Sequence, residues 1–461
     1  MGTATLKELA RRTDRFHIIL LARDSGKNHR KLRPYLDNPD ITVVWGDMMN
    51  KKDVEWCVTQ ADMVLHIGGM VSPMADHFPE KTLEVNTGST RNIVDAIKAR
   101  NNPDDVRLVY IGSVAQMSNR AEPYHWGRAG DPVMASDFDY YGVSKIKAER
   151  IVAESGLKYW VSLRQSGILH PGLFQRGSDP ITFHVPLRGV LEWATVEDSG
   201  RLMANLCEDS VPEEFWRNFY NIGSGDAYRL SNYEFETLIL GAVGSPRPEK
   251  IFDTDWFATR NFHGCWYIDS DRLEELVPFR ENVPVEDYFK RMVKDASWWV
   301  RLAPLAPAPL VKAMMRRVAK TRDLGTLNWI KRKDCEDKIR AFYGSREERA
   351  KIPSWENFDL TPPSKEYILL DHGYDEEKKE EELEIEDMRG AAEFRGGKCL
   401  SEEMTPGDLD TTLEWECCYG HRFKASPRVV LKGGHWCPDC LPAPWRYKEE
   451  AKHNKFIAQV M

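Results

Sequence analysis

Met63-Val64-Leu65-His66-Ile67-Gly68-Gly69 is a short apolar run that stops on a glycine pair, and the chain on both sides of it repeats the same plan. A run of this length without polar alternation reads as a strand buried on both faces. Upstream, Thr5 to Arg12 has a helical pattern, Phe16-His17-Ile18-Ile19-Leu20-Leu21-Ala22 is an apolar run closed by Arg23, and Ile41-Thr42-Val43-Val44-Trp45 leads into Gly46-Asp47. A helical stretch separates that strand from Met63. Downstream come a helix from about Thr82 to Arg100 and a strand from Val106 to Ile111. Strands separated by helices of this length require right-handed crossovers and therefore a parallel sheet covered on both faces. Ligands of such sheets sit outside the carboxyl ends of the strands, where Arg23, Asp47, Gly68 and Ser113 fall.

Further on, Asp137-Phe138-Asp139-Tyr140-Tyr141-Gly142-Val143-Ser144-Lys145 places a phenol and an ammonium four positions apart. On a helix they share a face. A cation beside a tyrosine favours the phenolate and makes the group usable as a general acid or base. The spacing alone is weak, because composition supplies roughly one such pair by chance. A second copy, Tyr374 to Lys378, stands in a charge run.

The order of motifs gives the first copy its weight. Gly46-Asp47, His66-Ile67-Gly68-Gly69, Asn86-Thr87-Gly88-Ser89, Tyr110-Ile111-Gly112-Ser113, Tyr141 to Lys145 and Leu163-Arg164-Gln165-Ser166-Gly167 follow one another in an order and spacing that resembles the extended short-chain dehydrogenase/reductase family, epimerase/dehydratase branch. Val196-Glu197-Asp198 and Tyr220-Asn221-Ile222-Gly223-Ser224-Gly225 resemble that branch's substrate-domain signatures, and the resemblance runs from about Gly2 to Val293. It implies an α/β fold, a Rossmann-like doubly wound parallel sheet with a smaller substrate domain. Gly2 stands where the family has the last glycine of its G-x-x-G-x-x-G turn. The first strand and the first two glycines are thus expected to be missing, leaving two neighbouring strands unpaired.

The same resemblance implies an NAD(P)-dependent oxidoreductase or epimerase acting at a carbinol or carbonyl carbon. Tyr141 would be the acid/base, Lys145 would lower its pKa and hold the cofactor ribose, Ser113 would position the substrate oxygen, and Asn86 would support them. Gly2, Arg23, Asp47, Gly68 and Lys145 form the expected cofactor set. Arg23, with Lys27, Arg30 and Lys31 nearby, favours the extra phosphate of NADP, with NAD left open. Val114-Ala115 stands where the branch's dehydratases carry an acid/base pair, which argues against dehydration. Phe183, His184, Arg188, Trp193 and Glu197-Asp198 are expected around the substrate pocket, His184 as a structural residue. Arg176, Arg188 and Arg201 are the cations available there for a phosphorylated substrate.

Beyond this region the chain changes character. Pro304 to Pro309 is a proline-rich break, and Val311 to Lys320 reads as a basic amphipathic helix for which packing on its own chain is the commoner outcome and membrane contact the rarer. Tyr374 to Asp387 reads as a solvated linker or exposed helix. Trp415-Glu416-Cys417-Cys418-Tyr419-Gly420-His421 and Trp436-Cys437-Pro438-Asp439-Cys440 then present two soft-ligand knuckles, the arrangement of a structural zinc site. Cys417, His421, Cys437 and Cys440 are the best ligand set, with Cys418 competing for the place of Cys417. The segment resembles small zinc-ribbon modules. A structural role is favoured over nucleic-acid binding through Arg422, Lys424, Arg428 and Lys432.

Bulk properties agree. The 461 residues call for two or three domains, and 42% hydrophobic with 30% charged residues is a globular balance. The expected division is 1–165 dinucleotide-binding, 166–300 substrate-binding and interleaved with the first, 301–372 helical extension, 373–395 charged linker and 396–461 zinc-ribbon-like module. A net charge of -8 argues against a nucleic-acid partner. No apolar run approaches bilayer length and no leader pattern opens the chain, so a cytoplasmic protein without a membrane span is expected. A small molecule with a hydroxyl or carbonyl is the expected substrate, and a homodimer the expected assembly.

Overall fold

The computed structural model describes residues 1–72, 74–175 and 179–461. In chain order the first part runs α1 (Gly2–Leu9), β1 (Ile18–Ala22), α2 (Gly26–Leu32), β2 (Ile41–Trp45), α3 (Lys51–Thr59), β3 (Met63–His66), α4 (Pro79–Lys98), β4 (Arg107–Ser113), α5 (Tyr140–Ala153), β5 (Tyr159–Gln165), α6 (Val196–Asn205) and β6 (Asn218–Ile222). The expected alternation is present, with ends displaced by up to three residues. Pro79 at the first helical position starts α4 earlier than expected, because the ring fixes φ where no intrahelical N–H bond is needed. Asn50 caps α3, its side chain accepting from the Lys52 N–H at 3.1 Å.

β3, β4, β5 and β6 form one parallel sheet in the order β6-β5-β4-β3. Its centre is dry: Leu108, Val109, Tyr110, Val161 and Leu163 are fully buried. One face packs Val54, Ile93, Ile97 and Val152 from α3, α4 and α5, the other Leu202 and Met203 from α6. β1 and β2 pair in parallel as a separate sheet. Among the described residues no ladder joins β1 to β3, although Leu21 and Val64 share one apolar cluster and Leu20 and Leu65 another. The sheet is therefore divided where two unpaired strands were expected, and its half-buried strand residues lie at that division. α1 packs on α6 so closely that a Cβ on Gly200 would come within 2.7 Å of the Ala4 Cβ.

Further along the chain, α7 (Ala308–Val318) carries the expected basic helix. Val311, Met315 and Val318 pack on the cluster around Phe252 and Trp256. Its other flank leaves Leu310 and Met314 exposed, beside exposed Trp298 and Leu305. From Ile352 to His372 the chain crosses the first domain as a strap. The Ser364 carbonyl accepts from His125 and Trp126, and Arg128 donates to the Leu370 carbonyl.

The stretch 373–395 departs from the linker reading. Leu383, Met388, Ala391 and Ala392 are buried in the core of the C-terminal module, the latter three on α8 (Ile385–Phe394). Lys378 binds Asp387 through both carboxylate oxygens, at 2.8 and 3.0 Å. The glutamates and lysines are the outer surface of a packed element. A three-stranded antiparallel sheet follows, β7 (Lys398–Cys399), β8 (Leu413–Glu416) and β9 (Arg422–Ala425). Leu413 opposes Ala425 and Trp415 opposes Phe423 on its buried face. Glu414 and Glu416 pair with Lys424 and Arg422 on its outer face, at 3.4 and 3.2 Å. No helix among the described residues is long and apolar enough to cross a membrane.

Candidate active site and metal centre

The residues of the candidate reaction centre stand on α5 and at the ends of β3 and β4. Asp139 caps α5, accepting from the Gly142 N–H at 2.7 Å, and this starts the helix so that Tyr141 and Lys145 lie on one face. Ser113 ends β4, where its hydroxyl accepts from the Ala115 N–H at 3.2 Å and stands near enough to the Tyr141 phenol to favour its ionised form. Gln116 closes the turn by accepting from the Ser113 N–H at 2.7 Å. Lys145 donates to the Ile111 carbonyl at 2.7 Å, and its ammonium lies 5.0 Å from the Tyr110 ring centre and 6.0 Å from that of Tyr141.

Asn86 holds the loop after β3 to this helix. Its amide exchanges hydrogen bonds with the Met70 N–H and C=O at 2.8 and 3.0 Å and donates to Ser144 Oγ at 2.8 Å. Gly69 is small for a reason: an added Cβ would sit 3.0 Å from Asn86 Oδ1 and 3.8 Å from Lys145 Nζ. At Gly68 it would sit 2.5 Å from the Met48 methyl. These glycines leave backbone open beside Lys145, as a cradle for a dinucleotide requires. Arg23 and Asp47 lie exposed after β1 and β2, and Gly2 opens α1. The Asp47 carboxylate accepts from the Met49 N–H at 2.9 Å.

The electrostatics differ from the expectation that Lys145 lowers the tyrosine. Burial pushes the Tyr141 phenol up to about 12, with the nearby Ser113 hydroxyl pulling the other way and Asp139 adding to the rise. Burial pulls the Lys145 ammonium down to about 8 against the attraction of Glu149. Desolvation outweighs pairing at both groups because Lys145 spends its short hydrogen bond on a carbonyl and not on the phenol. His66, buried and near Lys145, is held down to about 3 and is neutral.

Sequence reasoning missed three side chains here. His263 Nδ1 lies 2.8 Å from Asp139, and Asp76, pushed up to about 6 by burial and then by the charge of Asp139, stands near both. Glu149 is fully buried one turn beyond Lys145. Burial would raise its carboxyl, but the charge and hydrogen bonds of Arg164 and the hydrogen bond of His435 win and hold it well below the usual carboxylate range. Nothing local marks them, since each acquires its partner from a distant segment.

The expected pocket residues divide. His184 is structural, bonded to the Leu324 carbonyl at 2.7 Å and packed against Trp329 and Phe342. Arg188 binds Glu122 and Asp359, and Arg201 binds Asp198. Arg176 lies outside the described residues. Trp193 stacks on Phe235 at 4.4 Å.

In the C-terminal module Cys417, His421, Cys437 and Cys440 come together, all four ligand atoms lying within 4.8 Å of one another. Cys417 Sγ is 3.8 Å from Cys440 Sγ, and His421 Nδ1 is 3.6 and 3.3 Å from Cys437 and Cys440 Sγ. A tetrahedron with zinc's ordinary bond lengths has edges of about 3.8 Å between sulfurs and about 3.5 Å from sulfur to nitrogen. The donors thus fit a zinc-sized ion, and Cys418 is not among them. Of the basic residues considered for nucleic acid, Arg422 pairs with Glu416, Lys424 with Glu414, Arg428 with Asp410 and Lys432 with Glu380.

Parts of this chain are similar to known proteins. Human 3 beta-hydroxysteroid dehydrogenase type 7 is 29% identical over 117 residues, which are 25% of this chain and 31% of that protein. The chain thus matches about a third of that relative's length. Among solved structures, a dTDP-glucose 4,6-dehydratase from Bacillus anthracis in complex with NAD superimposes with a TM-score of 0.50 at 15% identity, covering 65% of this chain and 92% of that one. A dTDP-glucose 4,6-dehydratase from Streptomyces venezuelae gives 0.50 at 18% identity, covering 65% and 93%. These likenesses establish the Rossmann-like fold. The family model of the NAD dependent epimerase/dehydratase family matches residues 1–176, the segment that carries Ser113, Tyr141 and Lys145.

Proposed function

We propose that the chain is an NAD(P)-dependent oxidoreductase or epimerase that exchanges a hydride at a carbinol or carbonyl carbon. The placement of Ser113, Tyr141 and Lys145 together outside the strand ends, with the Lys145 ammonium 6.0 Å from the Tyr141 ring centre and bonded to the Ile111 carbonyl, carries this reading. The nicotinamide, when bound, supplies the hydride chemistry. Ser113 orients the substrate oxygen, Tyr141 exchanges a proton with that oxygen at its phenolic OH, and Lys145 would hold the nicotinamide ribose. Glycines 68 and 69 admit the dinucleotide, and Arg23, exposed at the end of β1, favours NADP over NAD. The name of the human relative, a hydroxysteroid dehydrogenase, recommends secondary alcohols and ketones as the first substrates to try.

A structural zinc ion in the Cys417, His421, Cys437 and Cys440 cage completes the reading. Four protein ligands leave no open position for a substrate, so zinc serves the fold. A second reading, a cofactor-sensing or scaffold protein whose zinc module engages a partner, is favoured by the divided sheet between β1 and β3. Titration of the protein with NADPH and NADH, followed by nicotinamide fluorescence, tests the first reading. Binding of either nucleotide together with oxidation or reduction of a carbinol or ketone supports it, and binding without turnover across a hydroxysteroid and nucleotide-sugar panel favours the second.

A further inference from the structure

The helix that carries Tyr141 and Lys145 is held from behind by the C-terminal module. Glu149 receives both Nε and Nη2 of Arg164, at 3.1 and 2.7 Å, Ser162 Oγ at 2.6 Å, and His435 Nε2 at 2.8 Å. Glu149, Arg164 and His435 are all at most 1% exposed. Arg164 also donates to the Gly433 carbonyl at 2.6 Å. One residue further along the helix, Arg150 donates to the carbonyls of Trp436 and Lys424 at 2.7 and 3.0 Å. Val133 N–H reaches the Gly434 carbonyl at 3.1 Å, and Gly434 has φ +72° with so little room that a Cβ would strike the Asp131 carbonyl.

The peptide making these contacts, Gly433 to Trp436, runs directly into Cys437. On its other side Lys424 belongs to β9, which begins one residue after His421. Two of the four metal donors therefore anchor the two segments that grip α5. In a module this small the apolar core is short of area, and a metal cage fixes the knuckles that packing alone leaves loose. Buried groups with one partner removed are costly, so the contacts to Glu149 and Arg150 persist only while the knuckles stay in place.

We propose that a divalent, thiolate-preferring metal ion in the Cys417, His421, Cys437 and Cys440 cage clamps α5, so that metal occupancy sets the position of Tyr141 and Lys145. Glu149, Arg164 and His435 are positioning residues, and the metal reaches the reaction centre through them. The inference rests on the reaction centre proposed above for its meaning in catalysis, but its test does not use turnover.

The test is amide hydrogen exchange of the zinc-loaded full chain before and after chelation, comparing peptides from α5 with peptides from α3, which lies on the far side of α4. Loss of zinc is expected to accelerate exchange in α5 by about tenfold or more while α3 changes little, and one equivalent of zinc restores it. His435→Ala in metal-replete protein is expected to accelerate α5 with zinc content unchanged, whereas His435→Gln, which keeps an N–H for Glu149, restores protection. Equal exchange in α5 with and without metal overturns the clamp. So does uniform acceleration of α3 and α5, or an α5 indifferent to His435→Ala.

Discussion

Ser113 and Tyr141 come near one another although 28 positions separate them, because β4 ends where α5 begins its first turn. The same strand offers the Ile111 carbonyl to Lys145, whose ammonium lies 6.0 Å from the Tyr141 ring centre. Replacing Ser113 by Ala removes the positioning hydroxyl and leaves the fold intact. We expect kcat to fall by about 10² or more with nucleotide affinity nearly unchanged, read by steady-state kinetics and fluorescence titration.

Asn86 joins the loop after β3 to α5 through three hydrogen bonds and is 3% exposed. Asn86→Ala leaves the Met70 backbone groups without their partner. A loss of about 2 to 3 kcal/mol in urea unfolding is expected, and a loss below about 0.5 kcal/mol contradicts the bridging role.

Lys145 makes stability depend on pH. Its folded pKa, about 8, lies below the ordinary lysine value of 10.5, so between those values the unfolded chain binds more protons than the folded one. The cost of burying its charge is therefore present in full below about pH 8 and relieved as pH rises toward 10.5. Lys145→Met removes this dependence. Comparing urea unfolding at pH 7.5 and 9.5, the variant's advantage over the natural protein should shrink by up to about 1.4 kcal/mol per pH unit above 8. An advantage that stays constant would show that burial does not shift this amine.

Metal analysis of the purified chain should give one zinc per chain, with Cys437→Ser and Cys440→Ser together abolishing it and Cys418→Ser leaving it unchanged. Retained metal in the double variant would place the ion elsewhere.

The sequence carried what is local. Apolar runs without alternation mark β1 to β4, the spacing of Tyr141 and Lys145 marks one helix face, and the Cys-x-x-Cys knuckle marks half of the Cys/His cluster. What it did not carry is long-range. Glu149 and His435 are 286 positions apart, and Asp139 and His263 are 124 apart, so no window of sequence contains either pair. The 373–395 stretch misleads for another reason. Its many charges conceal the apolar positions Leu383 and Met388, which alone decide that it packs. The tyrosine pKa shifts against expectation because burial, a property of the whole fold, dominates it and the opposing pull comes from Ser113.

Tyr141→Phe tests the central claim most directly. With a substrate from the carbinol and ketone panel, the variant should lose turnover by about 10² to 10⁴ while binding NADPH or NADH with affinity close to that of the natural protein. Turnover equal to that of the natural protein would contradict the assignment of Tyr141 as the acid/base.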